Sequence, residues 1–293
     1  MSQNDPYLPP QGGQYIPPPQ RYSGSDIPPD SPQHYSPAPQ RSGTSLLGWL
    51  GSAALAVWAV VKYGLVFLVK IPAFATLFSA LISVGAYALF YGPWFAVALV
   101  VMILIHEMGH VVEIRRQGMQ ATAPVFIPFL GAAIFQRSHP TTAVNQAKIG
   151  IAGPIAGTIG ATAALVLYNA TQDPIFLLAA TLGFFLNLIN MLPVWQLDGA
   201  WVLAPVSPWF QVAGLVAIAV LTVAFHFVSL LLLLIAVFGI QSARSAFRNA
   251  KNPYYTSVAP QARLALFGAW LGLVLYLGVM TLQSESLFLS LAR

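Results

Sequence analysis

Beyond residue 70 the chain alternates long apolar runs with short polar breaks. Pro72 to Tyr91, Trp94 to Val112, Ile149 to Tyr168 and Ile175 to Val194 each approach the ~20 residues a helix needs to cross hydrocarbon. Trp209 to Phe225 and Val228 to Ala243 follow as a pair turning near His226, and Leu264 to Leu282 is the last run. The pattern predicts an all-α polytopic membrane protein with about seven transmembrane helices.

One apolar stretch does not fit a span. Met119 to His139 is interrupted by Pro124, Pro128 and Gly131 and is too short to cross. Irregular backbone at membrane depth must be buried in protein, so the segment reads as a re-entrant hairpin between the second span and the third. An extended strand there offers its edge to an incoming peptide.

Upstream, the uninterrupted apolar part of residues 46–70, Leu46 to Val61, is 16 residues long and is followed by Lys62 and Lys70. It is expected to lie in the interface, with a spanning helix and a snorkelling Lys62 as the alternative. Residues 1–45 are a Pro-, Gln- and Ser-rich run with nothing to form a core, and read as a disordered tail. The tail has no basic segment followed by an apolar one, so no secretory signal is expected in it. The expected division is therefore tail (1–45), interfacial or transmembrane helix (46–70), catalytic membrane core (71–245), and basic loop with a final span (246–293).

Composition sharpens this picture. Hydrophobic residues make up 57% of the chain and charged residues 7%, too few to cover a water-soluble globule. The 13 Lys and Arg residues form no stripe, so no nucleic-acid partner is expected. Their grouping at Arg115, Arg116, Lys148, Arg244, Arg248, Lys251 and Arg263 instead marks cytoplasmic span ends. With no cysteine in the chain, thiolate chemistry and Cys-ligated zinc are excluded, and any metal site must use His, Asp, Glu or Asn.

From Ile71 to Ala243 there are only eight Asp, Glu, Lys or Arg residues. Glu107 lies within an otherwise apolar helix, between His106 and His110, where an ionisable group costs several kcal/mol unless it has a partner and a task. His106-Glu107-Met108-Gly109-His110 is an HExxH motif. Its i, i+4 spacing puts both imidazoles on one helix face, able to bind one Zn²⁺. Glu107 is then positioned to act on the attacking water as general base. A di-iron site would need a second ExxH element and further glutamates, and only Glu113 and Glu285 remain.

A catalytic zinc needs a third protein ligand, and the candidates are Glu113, His139, Asp173, Asp198 and His226. Asp198 stands out by context: Pro193 breaks the preceding helix, and Gly199 permits a tight turn just beyond it. A simpler expectation is that Asp198 caps the next segment.

These residues resemble the site-2 protease family of intramembrane zinc metalloproteases over roughly residues 72–245. The resemblance rests on His106-Glu107-Met108-Gly109-His110, on Leu197-Asp198-Gly199 following Asn190-x-x-Pro193, and on Ala152-Gly153-Pro154-Ile155-Ala156-Gly157. It implies that His106, His110 and Asp198 bind zinc, that Glu107 is the general base, and that Asn190 helps hold the substrate backbone or the developing oxyanion. It also implies hydrolysis of peptide bonds within or near transmembrane segments of a membrane-protein substrate. The expected location is a prokaryotic cell membrane, multi-pass, with the active site near the cytoplasmic face. The PDZ-like insertion and CBS pair of some subgroups are not seen in the sequence. A metal-ion transporter and a proteolytically inactive scaffold are the alternatives. The first should show ligands along a path, often with inverted repeats, and no repeat is found. The second should have lost Glu107 or a ligand, and neither is lost.

Overall fold

A computed structural model describes residues 46–70, 72–134, 136, 138–224 and 230–291. The expected tail and His226 lie outside the described residues. Helix α1 (Leu46–Lys70) runs without a break for 25 residues, and its own length fits an interfacial or a spanning helix equally. The rest of the described chain forms helices α2 (Pro72–Tyr91), α3 (Pro93–Arg116), α4 (Ala143–Thr171), α5 (Pro174–Asn190), α6 (Asp198–Leu203), α7 (Trp209–Ala224), α8 (Leu230–Asn249), α9 (Pro253–Thr256) and α10 (Pro260–Leu291). A two-stranded hairpin, β1 (Val125–Ile127) and β2 (Gly131–Ala133), lies between α3 and α4.

Four of these helices, α2, α3, α4 and α10, are long and apolar enough to cross a membrane. The expected count of about seven is not reached on that measure. α5 and α7 are apolar but only 17 and 16 residues long. The fourth expected span overran its helix, because α5 stops at Asn190, ahead of Pro193. Other helices exceed their apolar runs: α4 begins at Ala143, where the Thr142 side chain caps it by accepting from Asn145 N–H at 3.1 Å.

α3, α4 and α5 form the centre of the molecule, with α10 packed across them. Small side chains let the backbones close in. A Cβ on Gly109 of α3 would run into the Ala152 carbonyl of α4, and one on Gly183 of α5 would meet Ala161 and Met102. Such close approach is how helices associate where lipid removes the hydrophobic driving force. Ala98, Met102, Ala161, Ala180, Phe184 and Leu277 fill the core between these four helices.

The hairpin expected within Met119 to His139 is present as antiparallel strands in the register Val125 with Ala133 and Ile127 with Gly131. Phe129 at its turn adopts the left-handed region at φ +64°, as does Gly131 at +98°. α2 holds it through three side chains one or two turns apart. Thr76 Oγ1 donates to the Pro124 carbonyl at 2.6 Å, Ser79 Oγ accepts from Phe126 N–H at 3.1 Å, and Tyr87 OH accepts from Phe129 N–H at 3.0 Å. Phe126 then buries itself beside Tyr87, Val100 and Ile103. Irregular backbone is in this way satisfied by protein groups.

Candidate metal centre

The α-helical period places His106 and His110 one turn apart on α3, with ring centroids 4.9 Å apart. Their Nε2 atoms are 3.2 Å apart. The third member arrives from far along the chain. After α5 ends, residues 191–197 turn sharply, with Trp195 at φ +52°, and deliver Asp198 as the first residue of α6. Asp198 Oδ2 lies 3.1 Å from His106 Nε2, and Oδ1 lies 3.3 Å from His110 Nε2.

Asp198 does not cap α6: Leu197 holds the cap position, and no side-chain capping bond is made. Gly199 also has a different task from the one expected. Its backbone is not left-handed. A Cβ there would instead collide with the Met191 carbonyl, so glycine is required for a close approach to the end of α5.

Both imidazole tautomers follow from their outer partners. His106 Nδ1 is 2.8 Å from Asn187 Oδ1, and His110 Nδ1 is 2.8 Å from the Ile149 carbonyl of α4. An amide oxygen and a carbonyl only accept, so each Nδ1 carries the proton and donates it. In its neutral form each ring then turns a bare Nε2 lone pair to the centre. Asp198 Oδ2 is buried close to His106 Nε2 and receives no well-aligned hydrogen bond.

Two imidazole nitrogens and a carboxylate thus converge on one point, and with the rings neutral the arrangement calls for a cation. Tetrahedral ligands about 2.0–2.1 Å from a zinc ion would be about 3.3 Å from one another. The separations of 3.1, 3.2 and 3.3 Å match that spacing, so the residues fit a metal. Among the described residues His106, His110 and Asp198 are the group of side chains able to hold one.

Glu107 is half-buried on the same helix. Its carboxylate makes no hydrogen bond among the described residues and is within electrostatic reach of His106, His110 and Asp198. The other candidate ligands are engaged elsewhere. Glu113 accepts from Arg116 Nε at 2.7 Å and from Gln117 Nε2 at 2.8 Å. Asp173 caps α5, accepting from Ile175 N–H at 3.0 Å. His139 is exposed and apart from the group.

Asn190 is half-buried near the end of α5, and its Nδ2 donates to the Leu186 carbonyl at 3.1 Å. No hydrogen bond joins it to the three converging residues. Sequence reasoning passed over Asn187, one turn earlier, which touches His106 directly. It also passed over the task of the α4 glycines. A Cβ on Gly153 would overlap the His110 ring, and one on Gly157 would overlap the Asn187 amide. The signal was present as two glycines four residues apart and a second Asn, three residues before Asn190, within an apolar helix.

The model for Peptidase family M50 matches residues 94–173, which take in His106, Glu107 and His110 and stop short of Asp198. Among curated proteins no match is found. Over the matched residues this membrane chain is similar to the M50 peptidases, which bears out its resemblance to the site-2 proteases and indicates a metallopeptidase.

Proposed function

We propose that the protein is an intramembrane zinc metalloprotease of the site-2 type, hydrolysing peptide bonds within or near transmembrane segments of other membrane proteins. The observation that carries the reading is the convergence of His106, His110 and Asp198 beside an uncommitted Glu107, on a helix apolar enough to cross a membrane. Zinc suits a nitrogen-and-oxygen donor set of two imidazoles and a carboxylate, and when bound it supplies Lewis acidity to the carbonyl and activates water.

The chain's own groups do the rest. Glu107 takes a proton from the attacking water on a carboxylate oxygen and returns it to the leaving amine nitrogen. Asn190, with its Oδ1 and one amide hydrogen left uncommitted, steadies the substrate backbone or its developing oxyanion. A helical substrate shields its carbonyls, so it must be held extended. An edge of the hairpin around β1 and β2, acting as a re-entrant platform, would pair with it. The basic span ends support an active site towards the cytoplasmic face of a prokaryotic cell membrane.

The test reconstitutes the purified protein with membrane protein from its host cells and maps the new chain termini. Wild type should carry about one zinc per chain and create termini in or beside apolar segments. Glu107→Gln should keep the zinc and stop the cleavage, whereas Asp198→Asn should lose both. Undiminished cleavage by Glu107→Gln would reject the proposal. So would zinc content unchanged by Asp198→Asn, which would take Asp198 out of the ligand set.

A further inference from the structure

Asn187 is fully buried, at 0% exposure, in the interface of α3, α4 and α5. Both ends of its amide are committed. Nδ2 donates to the Gly183 carbonyl at 2.6 Å, and Oδ1 accepts from His106 Nδ1 at 2.8 Å. The first bond fixes the orientation of the amide, since a carbonyl cannot serve the oxygen end. The second bond then fixes His106 with its proton on Nδ1. A reversed amide would lose the first and turn the second around, moving the His106 proton to Nε2. Gly157 of α4 leaves the space in which the amide sits, and any Cβ there would overlap Nδ2, Oδ1 and Cγ.

We propose that Asn187 is the positioning residue of the metal centre, relaying the Gly183 carbonyl to His106 so that Nε2 is presented, bare and correctly aimed, to the cation. His110 needs no such relay because the Ile149 carbonyl meets its Nδ1 directly. An amide is the suitable group at this place. It supplies the oxygen acceptor without adding a second buried negative charge behind a centre that already holds Asp198. The inference rests on the metal-centre reading, and it adds that Asn187, rather than Asn190 alone, links α5 to the chemistry.

The test measures zinc affinity by chelator competition on monodisperse protein in detergent, together with the visible spectrum of the Co²⁺-loaded form. Asn187→Leu removes the acceptor at nearly constant volume and should weaken zinc binding about 10–100-fold while altering the Co²⁺ bands. Asn187→Asp retains an oxygen facing Nδ1 but gives up the bond to the Gly183 carbonyl and adds a buried charge, so it should bind zinc less tightly than wild type and more tightly than Asn187→Leu. Gly157→Ala, which displaces the amide while leaving every ligand intact, should reproduce the Asn187→Leu loss. Gly160→Ala, whose Cβ would press first on the Ile105 side chain, should not. Wild-type zinc affinity and spectrum in Asn187→Leu would overturn the inference, as would an equal loss in Asn187→Asp. A wild-type protein that binds no zinc would instead overturn the metal-centre reading, a result separable from a loss confined to the Asn187 variants.

Discussion

Gly153 lies directly against the imidazole of His110, so that any Cβ at this position would overlap Nε2, Cε1 and Cδ2 of the ring. The nitrogen that faces His106 and Asp198 is among the atoms that would be pushed. α4 thus shapes the centre by what it lacks, a side chain at one position.

Gly153→Ala should therefore act as an active-site substitution without altering any ligand or the general base. A displacement of about 1 Å of a catalytic group can cost about 100-fold in rate, and a loss of that order is expected, with zinc per chain reduced in parallel. Gly160→Ala, one helical stretch further along α4, should retain both. Metal analysis and cleavage rates on the two variants side by side decide the matter; equal activity would show that His110 has room to move.

Asp173 sits at the other extreme. Its carboxylate caps α5 through Ile175 N–H and belongs to no ligand group. Asp173→Ala should lower stability by about 1 kcal/mol, the usual worth of an N-cap, and leave zinc content and turnover as they were. Thermal unfolding with and without chelator measures the first, and metal analysis the second. A loss of zinc would return Asp173 to the list of candidate ligands.

The hairpin offers a third measurement. Tyr87→Phe deletes the hydroxyl that accepts from Phe129 N–H, while the ring keeps its edge-on packing with Phe129, 5.2 Å between centroids. Losing one such hydrogen bond costs about 1 kcal/mol, so the Phe129 amide should exchange its hydrogen about fivefold faster. If β1 and β2 hold an extended substrate, cleavage should slow while zinc binding stays unchanged. Exchange unaltered at Phe129 would mean the hairpin is held by its apolar contacts alone.

The convergence of His106, His110 and Asp198 was legible because its chemistry is written in residue types. HExxH names two imidazoles and a base on one helix face, and Asp198 is a rare acid beside a helix-breaking Pro193. The hairpin was legible from Pro124, Pro128 and Gly131, which forbid a continuous helix. Its attachment to α2 was not, because Thr76, Ser79 and Tyr87 are ordinary residues in an apolar run until a partner strand is placed beside them. Asn187 was hidden for the same reason. A lone amide in a helix acquires meaning only from the side chain opposite, and His106 lies 81 positions earlier. One span end was misplaced where an apolar run continued past a real helix end, at Asn190 ahead of Pro193.

The indole of Trp270, on α10, donates to the Met191 carbonyl at 2.8 Å. That carbonyl belongs to the turn that leads from α5 to Asp198, and Gly199 is packed against it. The aspartate is therefore braced by a helix that carries none of the motif residues and lies wholly beyond the matched stretch. A minimal catalytic fragment cut to residues 94–203 would keep every ligand in its sequence and still leave one of the three unsupported. Engineering on this scaffold should treat the C-terminal helix as part of what keeps Asp198 beside the two histidines.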